Sequence, residues 1–174
     1  MKERTIRKFK WFWAWQDEAE EDWLRQMSNE GWHLSHIVFP TIYQFNSGEA
    51  KDYVYRLDYR SHWKMEKDDY LQLFQDSGWE YLQEMAGWHY FRQLGHPGEQ
   101  MEIYTDAESK IEKYRRLLAF LSILALPLVI SLINLRDPPY DWLSPIRVIV
   151  MLVFLLYVYA FARILLRINQ LRRI

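Results

Sequence analysis

Residues 23–45, WLRQMSNEGWHLSHIVFPTIYQF, and residues 70–92, YLQLFQDSGWEYLQEMAGWHYFR, are two copies of one pattern. At a constant offset, Trp23 matches Tyr70, Leu24 matches Leu71, Met27 matches Phe74, Gly31-Trp32 matches Gly78-Trp79 and Tyr43 matches Tyr90. A fixed internal period is the mark of a duplicated supersecondary unit. In each copy the apolar positions before the glycine fall at helical spacing, and the glycine can end that helix in a left-handed cap. Two short aromatic strands follow, Trp32 to Phe39 then Ile42 to Phe45, and Trp79 to Met85 then Trp88 to Leu94.

Working outward, each copy opens on an alternating stretch. Phe9, Trp11, Trp13 and Trp15 share one face in the first, and Tyr53, Tyr55, Leu57 and Tyr59 share one in the second. A one-residue shift is needed to bring the two opening strands into register, and the intervening loop must absorb it. Asp17 is placed to cap the first helix, with Glu18, Glu20 and Glu21 in its first turn. The unit therefore reads strand, helix, strand, strand, twice over, in repeats at about 6–47 and 52–95. The expected fold is α+β: an antiparallel sheet with two helices on one face, making a domain over 1–104. Thr105 with Glu108 resembles a capping box opening a basic stalk helix over 105–116.

Beyond the stalk the chain changes character. Residues 117–135 hold nineteen residues without a charge, and 146–166 hold a second apolar stretch charged only at Arg147 and Arg163. Each is long enough at ~1.5 Å per residue to cross most of a ~30 Å hydrocarbon layer. The connection, 136–145, carries three of the six prolines, and so short a link makes the spans antiparallel. Lys110, Lys113, Arg115 and Arg116 precede the first span, and Arg163, Arg167, Arg172 and Arg173 close the second, the last two in a tail over 167–174. The positive-inside rule then places both termini in the cytoplasm, with Tyr140 and Trp142 as anchors at the outer interface of the cytoplasmic membrane. Pro127 favours a kink by removing the bond to the carbonyl of Ile123, with Ser122 and Ser131 near enough to help satisfy the freed groups.

Charge divides the chain at the same place. Residues 1–109 carry 12 Lys/Arg against 20 Asp/Glu, a net of −8, and residues 110–174 carry 10 against 3, a net of +7. An acidic domain is repelled by phosphate backbones, which argues against nucleic acid, while a basic membrane half suits a bilayer with anionic lipids. The absence of cysteine removes disulfides and thiol nucleophiles. No glycine-rich phosphate loop, nucleophile elbow or HExxH pattern occurs, so neither a catalytic residue nor a cofactor is assigned. His33 and His36, three apart on a strand, are expected on opposite faces, and no histidine sits at metal-ligand spacing. The acidic run Asp17 to Asp22 reads as dipole complementation on a solvated helix start. Arg56, Asp58 and Arg60 read as a solvated strand face.

Eight of the nine tryptophans lie before residue 110. They serve either as the bulky core of a small domain or as a cage for a flat, hydrophobic or cationic ligand. Trp11, Trp13, Trp32, Tyr43, Trp79, Trp88 and Tyr90 are the candidate ligand- or partner-binding residues.

The motifs KFKWFWAW, EEDWL with its following Met and Gly-Trp, DYVYRLDYR, DSGWEY and YFR followed by IYTD together resemble the bacterial domain of unknown function 2812 family, over most of residues 8–116. That resemblance implies a membrane-anchored protein, with some members encoded beside PadR-type transcription regulators, and a role in sensing or responding to envelope stress. It lends no catalytic residues. The element order is also similar in outline to gyrase-inhibitor-like effector-binding domains, which hold hydrophobic ligands between two repeats. The expected function is a non-enzymatic regulatory or adaptor protein of the cytoplasmic membrane whose domain binds a protein partner, such as another membrane protein. The alternative is a small-molecule sensor with an aromatic pocket between the repeats. Association into a homo-oligomer is left open.

Overall fold

The computed structural model describes residues 4–38, 41–60, 67–96, 101–104, 107–134 and 144–173. Thr105, the loop with Tyr140 and Trp142, and His62 lie outside them. The chain divides into two compact units, Met1–Thr105 and Asp106–Ile174.

The first unit runs β1 (Thr5–Phe9), α1 (Asp17–Asn29), β2 (Trp32–Val38), β3 (Ile42–Ser47), β4 (Tyr53–Tyr59), α2 (Lys67–Asp76), β5 (Glu80–Met85) and β6 (Trp88–Leu94). The duplicated strand-helix-strand-strand order is present as expected. The strands form two three-stranded antiparallel sheets, ordered β1-β3-β2 and β4-β6-β5, where one sheet was expected. The edges β2 and β5 meet through the side chain of Gln83: the Ile37 N–H donates to its Oε1 at 2.9 Å, and its Nε2 donates to the Ile37 carbonyl at 3.4 Å. A side-chain amide thus stands in for a peptide group between two strand edges.

Local features repeat as well. Gly31 and Gly78 have φ of +81° and +84°, the left-handed conformation that a helix terminator needs. The β2–β3 ladder shifts register between Leu34 and His36, and the β5–β6 ladder between Tyr81 and Gln83. These bulges occupy the same position in each copy. In β2 the bulge pairs His33 with Asn46 and His36 with Gln44, two apart on β3, so both histidines fall on one face rather than on opposite faces.

The last strands depart from the sequence offset. Three residues separate β2 from β3, whereas Ala86 and Gly87 alone separate β5 from β6. The shorter link slides β6 by one residue, so Phe45 corresponds to Phe91 and Tyr43 to His89. Ring packing agrees: Trp23 of α1 meets Tyr43 and Phe45 at 4.9 and 5.6 Å, and Tyr70 of α2 meets His89 and Phe91 at 5.2 and 6.1 Å. Tyr90 is consequently turned to the other face.

That turn changes how the helices are used. Tyr90 pairs with Leu57 and reaches α1, while the opposite face of β4 supplies Val54 to a core with Tyr70, Phe74, Trp79 and Phe91. The second sheet therefore has α2 on one face and side chains of α1 on the other, in place of two helices on one face. Tyr55, Leu57 and Tyr59 are buried as well as Val54 and Asp58, so β4 is covered on both sides.

β1 ends at Phe9, so Trp11, Trp13 and Trp15 belong to the connection into α1 and not to a strand face. There the Gln16 N–H donates to the Trp13 carbonyl at 2.8 Å and the Trp13 N–H donates to Gln16 Oε1 at 3.0 Å. Gln16 is the N-cap, and Asp17 is the first helical residue.

The second unit is a helical hairpin of α3 (Ala107–Asn134) and α4 (Ser144–Leu171). The stalk and the first apolar stretch are one helix, running through Pro127. Ser122 donates to the carbonyl of Leu118 at 2.8 Å, its own preceding turn, rather than to the Ile123 carbonyl that Pro127 frees. Only 6% of each apolar stretch is buried, and Ile123, Leu126, Ile130, Ile133, Ile149 and Leu152 are exposed. Both helices are long and apolar enough to cross a membrane. A core helix of a soluble domain would bury those side chains against its own chain.

Candidate functional site

The acidic start of α1 is where the fold differs most from the sequence expectation. Glu20, Leu24 and Met27 recur at i, i+4 and i+7, so they line one helix face, and all three are buried. The Tyr43 and Tyr90 hydroxyls donate to Glu20 Oε1, each at 2.7 Å. One carboxylate thus joins the two repeats. Burial holds the Glu20 carboxyl above the usual range, opposed by the Tyr90 and Tyr43 hydroxyls and assisted by nearby Asp17. Both tyrosines are raised in turn, by burial first and then by the carboxylate they face.

Glu21 is buried too. It accepts the Leu57 N–H at 2.8 Å, capping the free edge of β4, and Arg56 at 3.2 Å. Of the five acids from Asp17 to Asp22, Asp17, Glu20 and Glu21 are therefore interior and Glu18 and Asp22 are exposed. The Arg56, Asp58, Arg60 row is likewise not a solvated face. Asp58 accepts the hydroxyls of Tyr70, at 2.8 Å, and Tyr104, Arg56 also pairs with Glu102, and the Arg60 guanidinium stands 4.2 Å over the Tyr70 ring. Burial and then Asp58 push the Tyr70 phenol up.

The seven candidate aromatics do not form one cage, although Tyr43 and Tyr90 meet on Glu20 and Trp11 meets Trp13. Tyr43, Tyr90, Trp79 and Trp88 are buried, Trp32 is half-buried, and Trp11 and Trp13 are exposed. Trp88 packs on Tyr59 at 5.3 Å, whose phenol is pushed up to about 12 by burial.

Among the described residues, two accessible features stand out. A cleft of about 520 Å³ lies between the repeats, lined among others by His33, Ser47, Lys51, Tyr53, Glu80 and Arg92. Arg92 is held bidentately by Glu80 at 2.7 and 2.9 Å and stands 4.7 Å over the Tyr53 ring. Its wall is polar and charged, unlike the aromatic pocket anticipated. Sequence periodicity could not find it, because it depends on how β2 and β5 meet. The second feature is the β1–α1 connection, where Trp11 meets Trp13 edge-on at 5.5 Å and Trp13 stacks on Trp15 at 5.3 Å. Among the described residues, no group of three His, Asp or Glu side chains is placed to hold a metal ion.

A protein-family model described as a protein of unknown function, DUF2812, matches residues 16–126, more than half of the 174 residues. The chain belongs to the DUF2812 family. No curated protein and no solved structure matches it. The DUF2812 match takes in α1 through β6 and continues into α3 as far as Leu126, so the family pattern spans both the α+β unit and much of the first apolar helix.

Proposed function

We propose that this DUF2812 protein is a non-enzymatic regulatory or adaptor protein of the cytoplasmic membrane. Its α+β domain recognises a protein partner in the sensing of, or response to, envelope stress, and its basic-flanked hairpin holds it in the bilayer with both termini cytoplasmic. One observation carries this reading: the carboxylates best placed for acid–base chemistry are consumed inside the fold. Glu20 serves Tyr43 and Tyr90, Glu21 serves Arg56 and the β4 edge, and Asp58 serves Tyr70 and Tyr104. On α2, Asp68, Asp69 and Asp76 are exposed against one exposed cation, Lys67, and on α1, Glu18 and Asp22 are exposed against Arg25. The excess of acid on α2 complements a basic protein surface.

Crosslinking of the full chain in native membranes, followed by purification in detergent, tests this. The expected result is a stoichiometric protein partner whose recovery falls at high salt and is lost in the Asp68→Lys, Asp69→Lys, Asp76→Lys variant. No stoichiometric partner, or one indifferent to those charges, contradicts it.

The cleft favours a second reading, a small-molecule sensor. Its mixed-charge wall suits a dipolar polar ligand better than a lipophilic cation. Ligand-induced thermal shifts that vanish in Arg92→Ala support that reading, and a flat response across polar metabolite classes removes it.

A further inference from the structure

Phe9, Trp11 and Trp13 are 71%, 51% and 39% exposed, whereas Trp79 and Trp88 of the same unit are buried. One exposed apolar residue is ordinary, but three bulky aromatics within five positions are not. Their setting is chemically one-sided. Arg7, Lys8 and Lys10 flank them, and residues 4–16 contain no acid. Lys10 stands 5.7 Å over the Trp23 ring and 5.8 Å over Phe12, and Arg7 donates to Gln44 at 3.3 Å, so two of the three cations are held by the first repeat next to the exposed aromatics in the chain. The rest of the unit is acidic, and residues 1–109 together carry −8.

We infer that the β1–α1 connection is a membrane-contacting tip, inserting Phe9, Trp11 and Trp13 into the interface of an anionic bilayer while Arg7, Lys8 and Lys10 meet the headgroups. Indole and phenyl rings favour that interface, where apolar area is buried while the indole N–H stays wet. Basic residues within a Debye length are drawn to anionic lipid. The acidic remainder is repelled by the same surface, which turns the domain tip-first. Chain continuity supplies proximity: the first unit ends at Thr105 and α3 starts at Ala107, so a domain tethered to a bilayer-spanning helix meets lipid at high effective concentration. The inference rests on reading the hairpin as membrane-spanning.

The chain has no cysteine, so one introduced cysteine gives one label. Full-length Phe9→Cys and Trp11→Cys proteins, spin-labelled and reconstituted into nanodiscs containing phosphatidylglycerol, report accessibility to oxygen against a water-soluble nickel chelate. Leu156→Cys, exposed on α4, and Leu73→Cys, exposed on α2, serve as lipid and water references. The expected oxygen-to-nickel ratio at residues 9 and 11 lies well above that of Leu73→Cys and below that of Leu156→Cys, and it falls in discs of zwitterionic lipid alone. Nickel access equal to that of Leu73→Cys overturns the inference. Protection from both reagents also overturns it, because the occupant is then protein, either a partner or a second copy. A water-like Leu156→Cys overturns the hairpin reading itself.

Discussion

The two repeats share elements, bulges and helix terminators, yet they employ their aromatics differently. The second repeat closes around Val54, Tyr70, Phe74, Trp79 and Phe91. The first leaves Phe9, Trp11 and Trp13 outside and lends Glu20 to a tyrosine from each copy. At the offset that pairs Trp23 with Tyr70, Glu20 corresponds to Lys67, so the second copy has an exposed cation where the first has its buried carboxylate. The β5–β6 link is one residue shorter, which points Tyr90 towards α1. One substitution on the helix and one residue fewer in a strand link thus gave one copy a role inside the other.

Core truncation is the largest way to break this comparison. Phe45 and Phe91 occupy equivalent positions at no exposure, so Phe45→Ala and Phe91→Ala should each cost about 3–5 kcal/mol, read from thermal unfolding of the full chain in detergent. Had the original offset held in β6, Arg92 would be the partner of Phe45. Arg92→Ala should instead cost clearly less than either phenylalanine change.

Next comes the shared carboxylate. Glu20→Ala leaves two buried hydroxyls without their acceptor, at about 1–3 kcal/mol each. Glu20→Gln tests the charge. Because the folded-state pKa of Glu20 is raised, its contribution to stability is full below the unfolded carboxylate pKa and is lost as pH rises through the folded value. The wild-type melting temperature should therefore fall more steeply than that of Glu20→Gln across that rise. Parallel curves would mean that Glu20 titrates alike folded and unfolded.

The helix terminators give the smallest effect. Alanine at either glycine meets a left-handed backbone, at roughly 1–2 kcal/mol. A Cβ at Gly31 would also lie 2.9 Å from the backbone carbonyl oxygen of Gly48, whereas one at Gly78 meets the movable amide of Gln93 at 2.6 Å. Gly31→Ala should thus be the more destabilising in the same melting assay, and equal losses would show that the Gly48 backbone yields.

Periodicity and punctuation made the duplication legible: glycine after an apolar helical stripe, then aromatic strands, is a local pattern. The apolar helices were equally plain, and the stalk joined to the first of them followed from the helical run SKIEKYRR leading directly into the apolar stretch. What escaped was non-local. The one-residue slip of β6 depends on pairing, and a short acidic run looks solvated until its Glu20 is placed on the Leu24–Met27 face. That i, i+4, i+7 spacing was present in the sequence and was the available signal. The strand pattern also overextended β1, because tryptophans alternate in the connection as they would in a sheet. Sorting the seven candidate aromatics into interior and exterior required the packing of both repeats together.

The proposed anchoring of the domain by a two-span hairpin, with both ends on one side, is open to a direct test. Single cysteines at Ser47, Trp142 and Asn169, expressed in full-length chains, can be treated with a membrane-impermeant maleimide in intact spheroplasts and again after permeabilisation. Trp142→Cys is expected to react in intact spheroplasts, and Ser47→Cys and Asn169→Cys only once the membrane is opened. Equal reaction at all three positions before permeabilisation, or release of the chain by alkaline carbonate, would contradict it.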